Sequence, residues 1–120
     1  MKRDNPLLDK SYAFAVRIAK LCFQIQKEKK EFILTKQFLR SGISIGANSE
    51  EAIGGQSEKD FFHKLTIAYK ESRESHYWIR LMGDTDLISS ETKEELLDDV
   101  EELLRIIGSI QKTIRNKMNS

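Results

Sequence analysis

The chain is poor in the residues that break or staple a fold. Proline occurs once in 120 residues, as Pro6, so nothing in the body of the chain is forced to break. Cysteine also occurs once, as Cys22. No disulfide can form within the chain, which suits a reducing compartment, and a cytoplasmic protein is expected. Long hydrophobic runs are missing, because the apolar stretches are interrupted every few residues, so no membrane span is expected. MKRDNPLLDK carries charges where a secretory signal would begin its apolar run. Strand-like alternation is absent as well.

What remains is 39% hydrophobic and 32% charged, a globular composition. The length suffices for one core and one domain, 1–120. The net charge of +1 hides an asymmetry: residues 1–40 hold ten Lys/Arg against four Asp/Glu, whereas residues 81–111 hold two against nine. Separated signs allow a basic face toward a polyanion. The plainer account of the acids is that they complement the dipole at the start of a C-terminal helix.

Apolar spacing predicts four helices. The first runs from Leu7 to Gln26, with Phe14, Ile18, Leu21, Cys22 and Ile25 on one side. Tyr12, Val16, Ala19 and Phe23 widen its apolar arc beyond half the circumference, more than an ordinary surface helix needs. The second runs from Glu31 to Ile53. It carries a heptad-like seam of Leu34, Phe38, Ser41, Ile45, Asn48 and Ala52 and a further line of Phe32, Leu39, Gly42, Gly46 and Ile53. Gly54-Gly55 ends it. Ser57 opens the third in a capping-box spacing with Asp60, and this helix stops near Gly83-Asp84. The fourth begins after Ser89-Ser90 and carries Leu96, Val100, Leu103, Ile107, Ile110 and Ile114. Connections this short favour an all-α, antiparallel up-down-up-down four-helix bundle.

The stretch RSGISIGANSEEAIGG at 40–55 holds four glycines, but no lysine follows either Gly42 or Gly46 as a phosphate loop requires, and GxGxxG is absent. Close packing is the surviving account. Gly42 and Gly46 share a helix face, and each costs about 1 kcal/mol against alanine, which a closely approaching backbone would offset. Ser41, Gly42, Ile45 and Gly46 are therefore expected at a close contact, inside the bundle or with another subunit. The wide apolar arc of the first helix favours the subunit.

RSGISIGANSEEA together with KDFFHKLTIAYKESRESHYW resembles the four-helix-bundle family of proteins encoded in 23S ribosomal RNA intervening sequences. Arg40, Ser41, Ser44, Ile45, Asn48 and Glu51 match in the second helix, and Phe61, Leu65, Ala68 and Glu74 in the third. Ser49-Glu50 stands where the family usually carries an apolar or alanine pair. The resemblance covers nearly the whole chain and implies a bundle assembling into a ring, expected to be a pentamer, with no established catalytic activity. Related accessory proteins of diversity-generating retroelements look like basic rings that bind nucleic acid and a reverse transcriptase.

The polar residues matched by that resemblance, Arg40, Asn48, Glu51 and Glu74, are read as a structural polar network. Glu74 on the third helix is placed to pair with Arg40 or Glu51. No metal or cofactor is expected: Asp60 and His63 have a ligand-like spacing, but a di-iron bundle site needs two such pairs and further carboxylates. Arg73 and His76 are separated by only two residues, closer than in helical ribonucleases that use this pair, so no catalytic residue is assigned. Cys22 is read as a small core residue.

The best functional candidate is the basic stripe of the first helix, Lys10, Arg17, Lys20 and Lys27, extended by Lys29, Lys30 and Lys36. It carries no aromatic side chain for base stacking. The expectation is a non-enzymatic homo-oligomer binding RNA or DNA, RNA before DNA, through this face. Its role would be an accessory scaffold, with a nucleic-acid-processing protein as a further partner. A purely structural or protein-binding oligomer is the alternative.

Overall fold

The computed structural model describes residues 5–119. It contains four helices: α1 (Pro6–Lys29), α2 (Ile33–Ile53), α3 (Glu58–Asp84) and α4 (Ser90–Met118). Each starts where a side chain can satisfy otherwise unpaired backbone N–H groups. The Leu8 N–H donates to Asn5 Oδ1 at 3.2 Å, with Pro6 opening α1. The Asp60 N–H donates to Ser57 Oγ at 3.0 Å, and the Thr92 N–H to Ser89 Oγ at 3.1 Å.

α2 uses a different device. Its Ile33, Leu34 and Thr35 N–H groups donate to the Glu31 carboxylate at 3.0, 2.9 and 2.9 Å. Glu31, expected as the first residue of this helix, instead lies outside it as the cap. Burial alone raises the Glu31 carboxyl, but the N–H groups of Leu34, Thr35 and Ile33 with the Thr35 hydroxyl outweigh that and hold it below its ordinary value. α1 ends on Lys30, which takes the left-handed conformation (φ 56°) and donates its N–H to Gln26 O.

Contacts run α1 to α2, α2 to α3, α3 to α4 and back from α4 to α1, with no diagonal pair among the described residues. Between neighbours, numbers rise on one helix as they fall on the next. Ile18 lies against Gly42 and Ser11 against Gly46; Arg40 meets Glu74 and Lys64 meets Glu51; His76 meets Glu101 and Thr66 meets Gln111. The result is an all-α four-helix bundle of 51 × 29 × 22 Å. Its core consists of Phe14, Ile18 and Cys22 from α1, Phe38 and Ile45 from α2, Leu65, Ile79 and Met82 from α3, and Leu96, Val100, Leu103 and Ile107 from α4, all at most 3% exposed. Burial, and then the charge of Glu31, push the Cys22 thiol up to about 12, so it is an inert part of this core. Among the described residues no helix is long and apolar enough to cross a membrane.

Gly42 and Gly46 of α2 face α1 of the same chain, not a second subunit. A Cβ on Gly42 would sit 3.0 Å from Ile18 Cγ2, and one on Gly46 would sit 3.3 Å from the Ser11 carbonyl oxygen. Ser41 and Ser49 are fully buried beside them. Ser75 Oγ donates to Ser41 Oγ at 2.9 Å, and Ser49 Oγ donates to Ile45 O at 2.8 Å. Phe32 and Ile53, expected on the same line as the glycines, are half exposed. Periodicity identified a buried face but not its neighbour, and α1 fills it.

Two predictions follow from these contacts. A Cβ on Gly108 would meet only Tyr69 Cε1, at an ordinary 3.6 Å. Gly108→Ala should therefore stabilise the fold by about 1 kcal/mol, whereas Gly42→Val should destabilise it by about 1–3 kcal/mol through overpacking against Ile18. Urea denaturation of both variants measures this, and a stabilised Gly42→Val would refute the close-approach account. Because the Glu31 carboxyl is lowered on folding, its contribution is present above its unfolded value of 4.5 and is lost as pH falls through the folded value. Glu31→Gln should cost about 1 kcal/mol at pH 7, and the difference from wild type should shrink on acidification. A gap that stays constant to pH 3 would exclude a charged cap.

Candidate nucleic-acid interface

The basic stripe expected on α1 is divided by the fold. Lys10 Nζ pairs with Glu102 at 3.3 Å, and Arg17 pairs with Glu95 and, at 3.5 Å, with Asp99. Lys29 Nζ donates to the carbonyl oxygens of Asp86 and Leu87, both at 3.2 Å, and so ties the end of α1 to the α3–α4 turn. Three of the seven expected contact residues are thus engaged by their own chain. For Lys10 and Arg17 the cause is the acid-rich first half of α4, which lies beside α1 and brings parts of the two charge blocks of the sequence into contact. These pairs are well exposed, and each contributes at most about 1 kcal/mol. Burial raises the Asp99 carboxyl; Arg17 lowers it, and Glu102, Asp98 and Glu95 push it up again. Lys20, Lys27, Lys30 and Lys36 remain exposed.

The polar residues expected to form one network lie in three separate places. Arg40 pairs with Glu74 and, at 3.2 Å, with Glu71, and Glu74 also accepts the Trp78 indole N–H at 2.9 Å. Asn48 Nδ2 donates to the backbone and hydroxyl oxygens of Ser44, one turn back on its own helix, at 2.9 and 3.0 Å. Glu51 pairs with Lys64 at 2.8 Å. Arg40 to Glu74 is the α2–α3 tie foreseen from the spacing; Asn48 is too far along the helix to join it.

A second surface also carries unpaired positive charge. Along α3, Phe62, Thr66, Tyr69, Arg73, His76 and Arg80 recur at alternating steps of four and three, so they lie on one stripe facing α4. α4 answers with Glu101, Leu104, Gly108, Gln111 and Arg115 at the same alternation. Lys70 and Lys112 stand at the rim. The two stripes border a groove with two bays that share Tyr69. One bay, of about 400 Å³, is lined by Tyr69, Arg73, His76, Arg80 and Leu104, and the other, of about 720 Å³, includes Phe62, Lys70, Gly108, Gln111, Lys112 and Arg115. Among the described residues Lys70, Arg73, Arg105 and Lys112 form no ion pair.

Inside the groove the chemistry is specific. Arg80 Nε donates to His76 Nδ1 at 3.1 Å, so the ring proton sits on Nε2, which donates to Glu101 at 3.0 Å. Both ring nitrogens are occupied, and Arg73 and His76 do not form a free acid–base pair. Arg80 also lies 5.7 Å from the Tyr77 ring centroid, and Arg115 lies 5.4 Å from that of Phe62, distances at which a guanidinium is attracted to a ring face. Among the described residues no group of three or more His, Cys, Asp and Glu side chains is placed to hold a metal ion.

Sequence reasoning missed this groove. Its signal was present: residues 103–118 contain four Lys/Arg and no acid, and residues 61–70 contain two Lys and no acid. Counting charge over 81–111 stopped short of Lys112, Arg115 and Lys117, three of the four cations in the basic half of α4.

A search of curated proteins returned no match. The chain is similar to the crystal structure of a protein of unknown function from the S23 ribosomal protein family of Bacteroides thetaiotaomicron VPI-5482. The two share 46% identity with a TM-score of 0.87, over 88% of this chain and 98% of the other. The 23S rRNA-intervening sequence protein family matches residues 3–109, which takes in α1, α2, α3 and most of α4. The chain belongs to the 23S rRNA-intervening sequence protein family.

Proposed function

We propose that this protein is a non-enzymatic, homo-oligomeric helical scaffold that binds nucleic acid, RNA before DNA, as an accessory to a nucleic-acid-processing complex. The observation that carries the proposal is the α3–α4 groove, where cations from two helices converge with no carboxylate partner except Glu101 at one end. Unneutralised Lys and Arg in such an arrangement bind phosphate chains and release counterions. The binding face therefore moves from the expected α1 stripe, whose Lys10 and Arg17 hold α4, to the far side of α4. A family named for the 23S rRNA intervening sequence makes RNA the first nucleic acid to test.

Self-association is supported by a separate face. Tyr12, Val16 and Phe23 are 68%, 36% and 58% exposed on one stripe of α1, and Ile43 of α2 is 44% exposed. An exposed apolar stripe of this kind marks a protein-contact surface. A ring built on it, expected to be a pentamer, would repeat the groove around the assembly. The alternative of a structural or protein-binding oligomer rests on this face alone.

Light scattering with and without a structured RNA tests both parts. The expected result is an oligomer that gains mass with RNA at low salt and loses it at moderate salt. Lys70→Glu/Arg73→Glu should abolish the gain while leaving the oligomer intact, and Tyr12→Glu/Phe23→Glu should yield a monomer. Arg17→Glu should leave RNA binding unchanged. An oligomer indifferent to RNA at every salt concentration would favour the protein-binding alternative.

A further inference from the structure

The groove is more than a run of positive charge. The larger bay combines Phe62 and Tyr69 with Lys70, Lys112 and Arg115, and the carboxamide of Gln111 completes its wall. No carboxylate lines it. A site that only tracks phosphates needs the cations and gains little from recessed aromatic rings. We infer that this bay takes an unpaired nucleotide, its base against Tyr69 and the Phe62–Arg115 pair and its phosphates on the cations of the rim. This inference rests on the nucleic-acid reading above and narrows it from polyanions in general to single strands.

Three features support the assignment. First, Gly108 leaves the floor of the bay open beneath Tyr69: a Cβ there would already touch the ring edge at 3.6 Å, and a longer side chain would fill the space. A glycine inside a helix costs about 1 kcal/mol against alanine, and here it keeps an aromatic surface accessible. Second, the Arg115 guanidinium lies over the Phe62 ring, 5.4 Å from its centroid. A guanidinium plane held in this way presents a flat surface on which an unstacked base can lie. Third, Gln111 is almost buried, and its Nε2 donates to Thr66 Oγ1 at 2.8 Å. Its orientation is fixed, and its oxygen is left as an acceptor on the wall of the bay.

The neighbouring bay supplies the continuation. Arg73 and Arg80 follow Tyr69 along α3, and the stripe from Phe62 to Arg80 spans about 27 Å at 1.5 Å per residue. That length accommodates several nucleotides of extended strand. In a duplex the bases are stacked inside the helix and cannot reach Tyr69, so paired nucleic acid would meet only the rim cations.

Fluorescence anisotropy of the full-length protein with labelled 20-nucleotide RNA strands tests the inference. The probes are a single strand of mixed sequence, the same strand in a duplex, and a strand of equal length with abasic positions. Wild type should bind the single strand tighter than the duplex and the abasic strand. Tyr69→Ala should weaken single-strand binding by about tenfold, within the range for one base–aromatic stack, and leave duplex binding unchanged. Tyr69→Phe should bind as wild type. The abasic strand keeps the test valid even if Tyr69→Ala folds poorly. Equal affinity for the abasic and intact strands, or tighter binding of the duplex, would overturn the base-stacking site while leaving the scaffold reading standing. No binding of any probe at low salt would overturn both.

Discussion

At the centre of the bundle, the carbonyl oxygen of Ser11 lies 3.3 Å from the point where a side chain on residue 46 would begin. One turn earlier on α2, Ile18 leaves still less room at residue 42. This approach of α1 to α2 determines what the rest of the molecule can present. With the small residues of α2 turned inward, the bulky apolar residues Tyr12, Val16 and Phe23 are left on the outer side of α1. Close packing thus produces both a tight core contact and an apolar exterior.

The same approach sets the charge pattern. Holding α1 against α2 places the other flank of α1 beside the first half of α4, where Lys10 and Arg17 meet Glu102, Glu95 and Asp99. The exposed pairs add little stability individually, but they engage three of the seven acids between Glu91 and Glu102. Among the described residues Lys20, Lys27, Lys30 and Lys36 stay exposed and unpaired on the α1–α2 side, and the second half of α4 with the facing stripe of α3 gathers further cations. A chain of net charge +1 therefore shows concentrated positive charge on one groove.

Much of this was legible in the sequence, and the misses share a physical cause. The cap at Ser57 and the core lines through Phe14, Phe38 and Leu103 depend on neighbours within a few residues or on a single helical period, which a linear reading resolves. Gly42 and Gly46 announced a close contact but not with which helix, because periodicity names a face and is silent about what covers it. Lys10 and Lys20 look alike in sequence, yet only Lys10 has an acid across the interface. Phe62, Tyr69 and Arg73 escaped notice because a stripe mixing aromatic and basic residues resembles neither core nor solvent face. Only the opposing stripe of α4 gives it meaning.

α4 carries its two charges on different turns. Its acids end at Glu102, and its cations other than Lys93, which pairs with Asp84, lie from Arg105 onward, so cohesion with α1 and attraction toward outside partners are coded in successive segments of one helix. A substitution beyond Leu103 can retune how strongly the groove attracts a ligand without touching the ion pairs to α1. A substitution before it can loosen or tighten the bundle while leaving the groove as it was. Related chains could therefore diverge in ligand preference while keeping the same scaffold, because the two properties are free to drift independently.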